Sequence, residues 1–174
     1  MNFLQFELKI KKIRMKRIFF IHGLESSNKS SKVDLMRSKG FDVLAPSMDY
    51  ATNEDLFSQT LEKVLEFQPH LIVGSSMGGY FAFHIGFHYS TTLLLLNPAL
   101  ISRPFQPKIL QDGREKSKVW ALLGEKDDLI SPIENFKILQ NMGATIRIGK
   151  HGHRTPIEAF SDVFDELIKK TSNT

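Results

Sequence analysis

The sequence predicts an α/β fold: a mainly parallel sheet of about six strands, covered by helices on both faces. Three observations lead there. Short runs of apolar, β-favouring residues alternate with longer helical stretches from about residue 17 onward. No repeat or low-complexity linker interrupts that alternation, and several of the runs are unbroken apolar segments, as strands buried on both faces of a parallel sheet require. The chain has 174 residues, 41% of them hydrophobic, a length and composition that agree with one compact domain around a buried core.

Taken in order, Lys16-Arg-Ile-Phe-Phe-Ile21 reads as the first strand, over 17–21, and ends in His22-Gly23-Leu24. A helix near 28–39 and a strand over 42–45 follow. The second helix is expected over 53–67, where Thr52-Asn53-Glu54-Asp55 reads as a capping box and Leu56, Leu61, Val64 and Leu65 supply an apolar face. A strand over 70–74 leads directly into a helix over 77–89, and a strand over 92–96 comes next. Residues 97–117 carry Pro98, Pro104, Pro107 and Gly113 and are left unassigned. Lys118-Val-Trp-Ala-Leu-Leu-Gly124 is a buried strand over 118–123 ending in glycine. A helix over 133–142 precedes the alternating strand 144–148. In the last segment Thr155 is expected as the N-cap, Pro156 as the first helical residue and Glu158 as the partner in a capping box, starting a helix over 156–170.

Charge separates the ends of the chain. The first seventeen residues hold six basic side chains (Lys9, Lys11, Lys12, Arg14, Lys16, Arg17) against Glu7, whereas the rest carries 17 basic against 18 acidic side chains. The basic excess therefore belongs to residues 1–14, read as an N-terminal extension ahead of a single α/β domain over 15–174; Met15 reads as an alternative start. No basic motif recurs in the body of the chain, so no nucleic-acid partner is expected. Neither a signal-peptide core nor an apolar run of spanning length is present, so a cytoplasmic location and no membrane partner are expected. With no cysteine, disulfides and thiolate chemistry are excluded. His84 and His88 stand four apart, but no glutamate follows the first, so no metal site is assigned to them. Oligomeric state is not legible.

The chemistry-bearing pattern is Gly74-Ser75-Ser76-Met77-Gly78, a G-x-S-x-G pentapeptide between an apolar run and a helical segment. A serine hydroxyl is a poor nucleophile at neutral pH, so it must be held where a base reaches Oγ and an amide faces the developing oxyanion. A sharp strand-to-helix turn does both. Gly74 and Gly78 are the elbow glycines, with no side chains to collide where strand and helix close. Further along, the Glu125-Lys126-Asp127-Asp128 loop follows a strand and offers an acid. Then Lys150-His151-Gly152-His153-Arg154 offers a histidine ahead of the last helix. The order Ser, acid, His is that of an elbow-type hydrolase. Asp127, third after Gly124, is preferred as the acid over Asp128, although a one-residue shift of the turn would exchange them. His153 is preferred over His151, which is expected on the loop surface. His22-Gly23-Leu24 reads as an oxyanion loop, the backbone N–H groups of Leu24 and Met77 forming the hole and His22 organising the loop. Leu100, Ile101 and Phe105 are expected at the acyl pocket.

Ile21-His-Gly-Leu-Glu-Ser-Ser27, Gly74-Ser-Ser-Met-Gly-Gly-Tyr80, Leu96-Asn-Pro-Ala99 with Arg103-Pro104, and Gly152-His-Arg154 together resemble the YqiA-like family of small bacterial esterases, over nearly all of residues 15–170. The resemblance implies a compact, lidless α/β-hydrolase that cleaves short acyl esters, with Ser76, Asp127 and His153 matching the triad. Met77 stands where leucine is frequent, and Thr155 where an aromatic often follows the His-Arg pair. Such chemistry calls for no cofactor and takes a small-molecule ester or thioester substrate. Alternatives are a thioesterase or other small acyl hydrolase on the same scaffold, or a catalytically silent binding protein.

Overall fold

A computed structural model describes residues 17–101 and 117–172. Among them, six strands and five helices follow in the order β1 (Arg17–Ile21), α1 (Ser31–Ser38), β2 (Asp42–Leu44), α2 (Leu56–Phe67), β3 (Leu71–Ser75), α3 (Met77–Ile85), β4 (Thr92–Leu96), β5 (Lys118–Gly124), α4 (Pro132–Asn141), β6 (Thr145–Gly149) and α5 (Ile157–Ser172). The strands form one sheet in the order β2-β1-β3-β4-β5-β6, with every pairing parallel. Residues 1–14, Phe105 and most of the unassigned 97–117 stretch lie outside the described residues.

Strand periodicity divides the core into two halves. Phe19, Ile72, Leu95 and Leu123 face α2, α3 and α4, packing with Val64, Ile85 and Leu139. Their neighbours Phe20, Val73, Leu94 and Leu122 face α1 and α5, packing with Met36, Phe160 and Phe164. β4 is buried along its whole length, the pattern of a central strand.

Register decides where function can sit. Ile21 pairs with Gly74, Ser75 with Leu96, Leu96 with Leu122 and Gly124 with Gly149. The carboxyl ends of β1, β3, β4, β5 and β6 therefore line up along one edge, and the loops that leave them converge there. In an open parallel sheet this edge is where ligands bind.

Two expected capping boxes do not form, and α1 begins at Ser31, capped by Ser30, three residues later than expected. α2 begins at Leu56 after Asp55, whose side chain makes no capping bond. The Thr52 hydroxyl instead donates to the carboxylate of Asp49, which also accepts the amides of Ala51 and Thr52 at 3.2 and 3.1 Å. A charged acceptor three residues earlier outcompetes the helix for Thr52. α5 begins at Ile157, with the Pro156 carbonyl accepting the Phe160 amide at 3.0 Å, so Pro156 stands at the boundary. Thr155 is buried, its hydroxyl without a partner among the described residues, and no capping box forms. α3 also stops at Ile85, four residues earlier than expected, where Gly86 closes it. No helix among the described residues is long and apolar enough to cross a membrane.

Candidate active site

Ser76 lies between the last residue of β3 and the first of α3, at φ 53° and ψ −115°. Such a backbone is strained for a residue with a side chain and persists only where its surroundings hold it. Here they do: the Ser76 amide donates to the Leu96 carbonyl at 2.9 Å, and its carbonyl accepts the amides of Tyr80 and Ala99 at 3.1 and 3.0 Å. The turn also needs the closest possible approach of three backbones. A Cβ on Gly78 would lie 2.0 Å from the Ile21 carbonyl oxygen, and one on Gly74 would lie 2.3 Å from that of Gly78. Neither position admits any side chain.

Opposite the serine stands His153, with Nε2 3.0 Å from Ser76 Oγ and Nδ1 2.9 Å from Asp127 Oδ2. Asp127 is 8% exposed, and its other oxygen accepts the amides of Leu129 and Ile130, each at 3.0 Å. Those two bonds orient the carboxylate so that Oδ2 faces the imidazole. Asp128 is exposed. The turn is held in this register by the Asp127 amide donating to Gly124 O at 3.1 Å and the Lys126 amide donating to His151 O at 3.1 Å.

His151 departs from the surface position expected for it: it is 8% exposed, with Nδ1 2.8 Å from the Gly152 carbonyl oxygen. The ring occupies a slot left by two paired glycines. A Cβ on Gly124 would lie 2.7 Å from His151 Nδ1, and one on Gly149 would lie 2.5 Å from its Cδ2. The histidine loop is thereby propped on the ends of β5 and β6.

On the other side of Ser76, a Cβ on Gly23 would stand 3.8 Å from Oγ, so the His22–Leu24 backbone passes beside the hydroxyl. His22 is 4% exposed. Its Nε2 accepts the Met48 amide at 3.1 Å, which leaves Nδ1 as the protonated nitrogen, 2.7 Å from the Gly23 carbonyl. The Tyr50 hydroxyl donates to the His22 carbonyl at 2.6 Å, and burial pushes that phenol well above its usual range. A neutral histidine and a neutral tyrosine thus hold the loop. Met77 supplies the first amide of α3, one of the four that a helix leaves without an intrahelical acceptor.

Met77, Leu100, Ile130 and Tyr50 are half-buried against the apolar core at this end of the sheet, and Ile101 is half-buried. Sequence reasoning had no signal for Tyr50 or for Ile130 beyond its place in the acid loop. It also gave Asn97 no role in the site, although that side chain touches both loops. Among the described residues no cluster of three or more His, Asp or Glu stands where it could hold a metal ion.

A family model described as an uncharacterised protein family, UPF0227, matches residues 17–146, which include Ser76 and Asp127 but stop short of His153. Among solved structures, a protein from Xanthomonas campestris pv. campestris assigned to the α/β-hydrolase superfamily is similar at 22% identity and TM-score 0.75, over 89% of this chain and 98% of its own. A carboxylesterase from Mesorhizobium loti is similar at 15% identity and TM-score 0.64, over 88% of each chain. A fluorophosphonate-binding serine hydrolase from Staphylococcus aureus is similar at 15% identity and TM-score 0.63, over 92% of this chain and 84% of its own. These likenesses establish a shared fold. No curated protein matches the chain in sequence.

Proposed function

The chain belongs to the UPF0227, or YqiA, family and has the α/β-hydrolase fold, and from that premise we propose that it is a serine esterase acting on short acyl esters through Ser76, His153 and Asp127. One observation carries the reading: the unbroken line from Ser76 Oγ through both ring nitrogens of His153 to Asp127 Oδ2, at 3.0 and 2.9 Å, ending on a serine in strained backbone. The descriptions of the Mesorhizobium and Staphylococcus proteins as a carboxylesterase and a serine hydrolase support the same chemical class.

In this mechanism His153 Nε2 takes the hydroxyl proton as Ser76 Oγ attacks the ester carbonyl. Asp127 stays ionised, holds the Nδ1–H tautomer and stabilises the imidazolium that forms. The amides of Leu24 and Met77 receive the oxyanion, each such donor contributing on the order of 3 kcal/mol to the lowering of the barrier. His153 then gives its proton to the departing alkoxide. Water attacks the acyl-enzyme with His153 again as base, releasing the acid and restoring Ser76. Half-buried Met77, Leu100 and Ile130 offer the acyl group a short apolar surface.

The test is the hydrolysis rate of p-nitrophenyl acetate and butyrate by the wild type and by Ser76→Ala and His153→Ala, each checked for folding by circular dichroism. Loss of about 10³-fold or more in both folded variants supports the esterase reading. Faster turnover of matched thioesters would redirect it to a thioesterase. Failure of a fluorophosphonate to label Ser76 in the folded wild type would leave a binding protein on a hydrolase fold.

A further inference from the structure

Asn97, the first residue after β4, is 1% exposed and sits at φ 41°, in the left-handed region that asparagine tolerates better than most residues. Its side chain spans the two loops that bring acid and base to Ser76. Oδ1 accepts the amide of Gly124, where β5 passes into the Asp127 turn, at 2.7 Å. Nδ2 donates to the carbonyls of Gly152 and His153 at 3.2 and 2.6 Å. The amide orientation is unambiguous, because the backbone N–H can only donate and the two carbonyls can only accept.

The backbone that carries this side chain is anchored on three sides. The Asn97 amide donates to Leu122 O at 3.0 Å, and the Ala99 amide donates to Ser76 O at 3.0 Å. Between them the Pro98 carbonyl accepts Asn135 Nδ2, from α4, at 2.7 Å. The segment 97–99 therefore touches the nucleophile through its backbone, the acid turn through Oδ1 and the histidine loop through Nδ2. Each of these contacts crosses between elements that are remote in sequence, so each fixes a distance that strand register alone leaves free.

We propose that Asn97 is the positioning residue that sets His153 between Ser76 and Asp127, an inference that rests on the serine-hydrolase reading. Asn97 touches neither substrate nor reacting atoms. It acts by fixing the backbone of His153 itself, through the 2.6 Å bond to that residue's carbonyl. Without it, the His loop keeps its prop at His151 but loses the bond nearest the base. Misplacement of a reacting group by about 1 Å costs on the order of 10²-fold in rate.

The experiment follows the histidine directly, by nitrogen-15 NMR of the imidazole tautomers on the full chain in the neutral-ring range, together with kcat and KM on p-nitrophenyl butyrate. In the wild type His153 is expected as the Nδ1–H tautomer, donating to Asp127, and His22 as Nδ1–H, set by the Met48 amide. Asn97→Gly removes the side chain while accepting the backbone angle. It should turn His153 into a tautomer mixture, leave His22 unchanged, and lower kcat about 100-fold with KM altered less than about threefold. Asn97→Asp keeps the size and the acceptor for Gly124 but not the two-hydrogen donor, and should reproduce the change at His153.

An unchanged His153 tautomer with kcat within about threefold in both variants would overturn the proposal. So would equal disturbance of His22 and His153, which marks Asn97 as a general support of the fold. A wild type whose His153 carries its proton on Nε2 would instead overturn the serine-hydrolase reading, and this proposal with it.

Discussion

His153 Nε2 stands 3.0 Å from Ser76 Oγ although 77 positions separate the two in the chain. Their separation is set by the parallel register that aligns the ends of β3, β5 and β6, and by the strained turn that lifts Ser76 out of β3. If this contact is the proton-transfer step of an esterase, Ser76→Ala and His153→Ala should each lose about 10³-fold or more of p-nitrophenyl butyrate hydrolysis. The double variant should lose little beyond either single one, because the residues act as a unit. Multiplicative losses in the double variant would assign them separate roles.

The two adjacent carboxylates give a sharper comparison. Asp127 is buried and bonded to His153 and to two amides, whereas Asp128 is exposed. Asp127→Asn turns the partner of Nδ1 into an amide and should lower kcat by about 10³ to 10⁴-fold. Asp128→Asn should stay within about twofold of wild type. The reverse ranking in steady-state rates would move the catalytic acid one residue along the chain.

How far such relationships can be read from the sequence depends on whether the determinant is local. β1 and β4 fall on 17–21 and 92–96 as expected, because buried central strands are written as unbroken apolar runs. β3 and the edge strand β6 are each displaced by one residue, to 71–75 and 145–149 from the expected 70–74 and 144–148. The strand-to-helix turn at Ser76 is legible because Gly74, Ser76 and Gly78 lie within five positions. Asn97 is not, since its three side-chain bonds reach 27, 55 and 56 positions away. His151 looked like a loop-surface residue because the slot that buries it exists only once Gly124 pairs with Gly149. Thr52 matched a capping pattern, but Asp49 holds its hydroxyl and so removes it from the helix.

Close packing of the turn around Ser76 makes a stability prediction that does not depend on catalysis. An alanine at Gly78 would put its Cβ 2.0 Å from the Ile21 carbonyl oxygen, a backbone atom that cannot swing aside. Gly78→Ala should destabilise the fold by about 3 kcal/mol or more. At Gly152 the nearest atom to an added Cβ is the Lys126 carbonyl oxygen at 3.4 Å, an ordinary contact, so Gly152→Ala should cost less than about 1 kcal/mol. Urea unfolding monitored by circular dichroism measures both. Equal midpoints for the two variants would show that α3 does not pack against β1 as closely as described.

Acid sensitivity should trace in part to α3 as well. His84 has a buried Nδ1 with no hydrogen-bond partner among the described residues, and its ring centroid lies 4.4 Å from that of Tyr80. Burial, and then the neighbouring His88, push its pKa down to about 4 from the ordinary 6.5. Between those values the unfolded chain binds a proton at this position that the folded chain refuses. The contribution of His84 to stability is therefore complete above about pH 6.5 and is lost as the pH falls toward about 4. His84→Leu keeps the packing apolar and removes the titration. Its urea midpoint should drop less than that of the wild type between about pH 7.5 and about pH 4.5. Because the ring is only half-buried, solvent screens part of this effect, so the comparison rests on the difference between the two proteins at both pH values. Parallel losses in wild type and variant would move the acid sensitivity to carboxylates elsewhere in the fold.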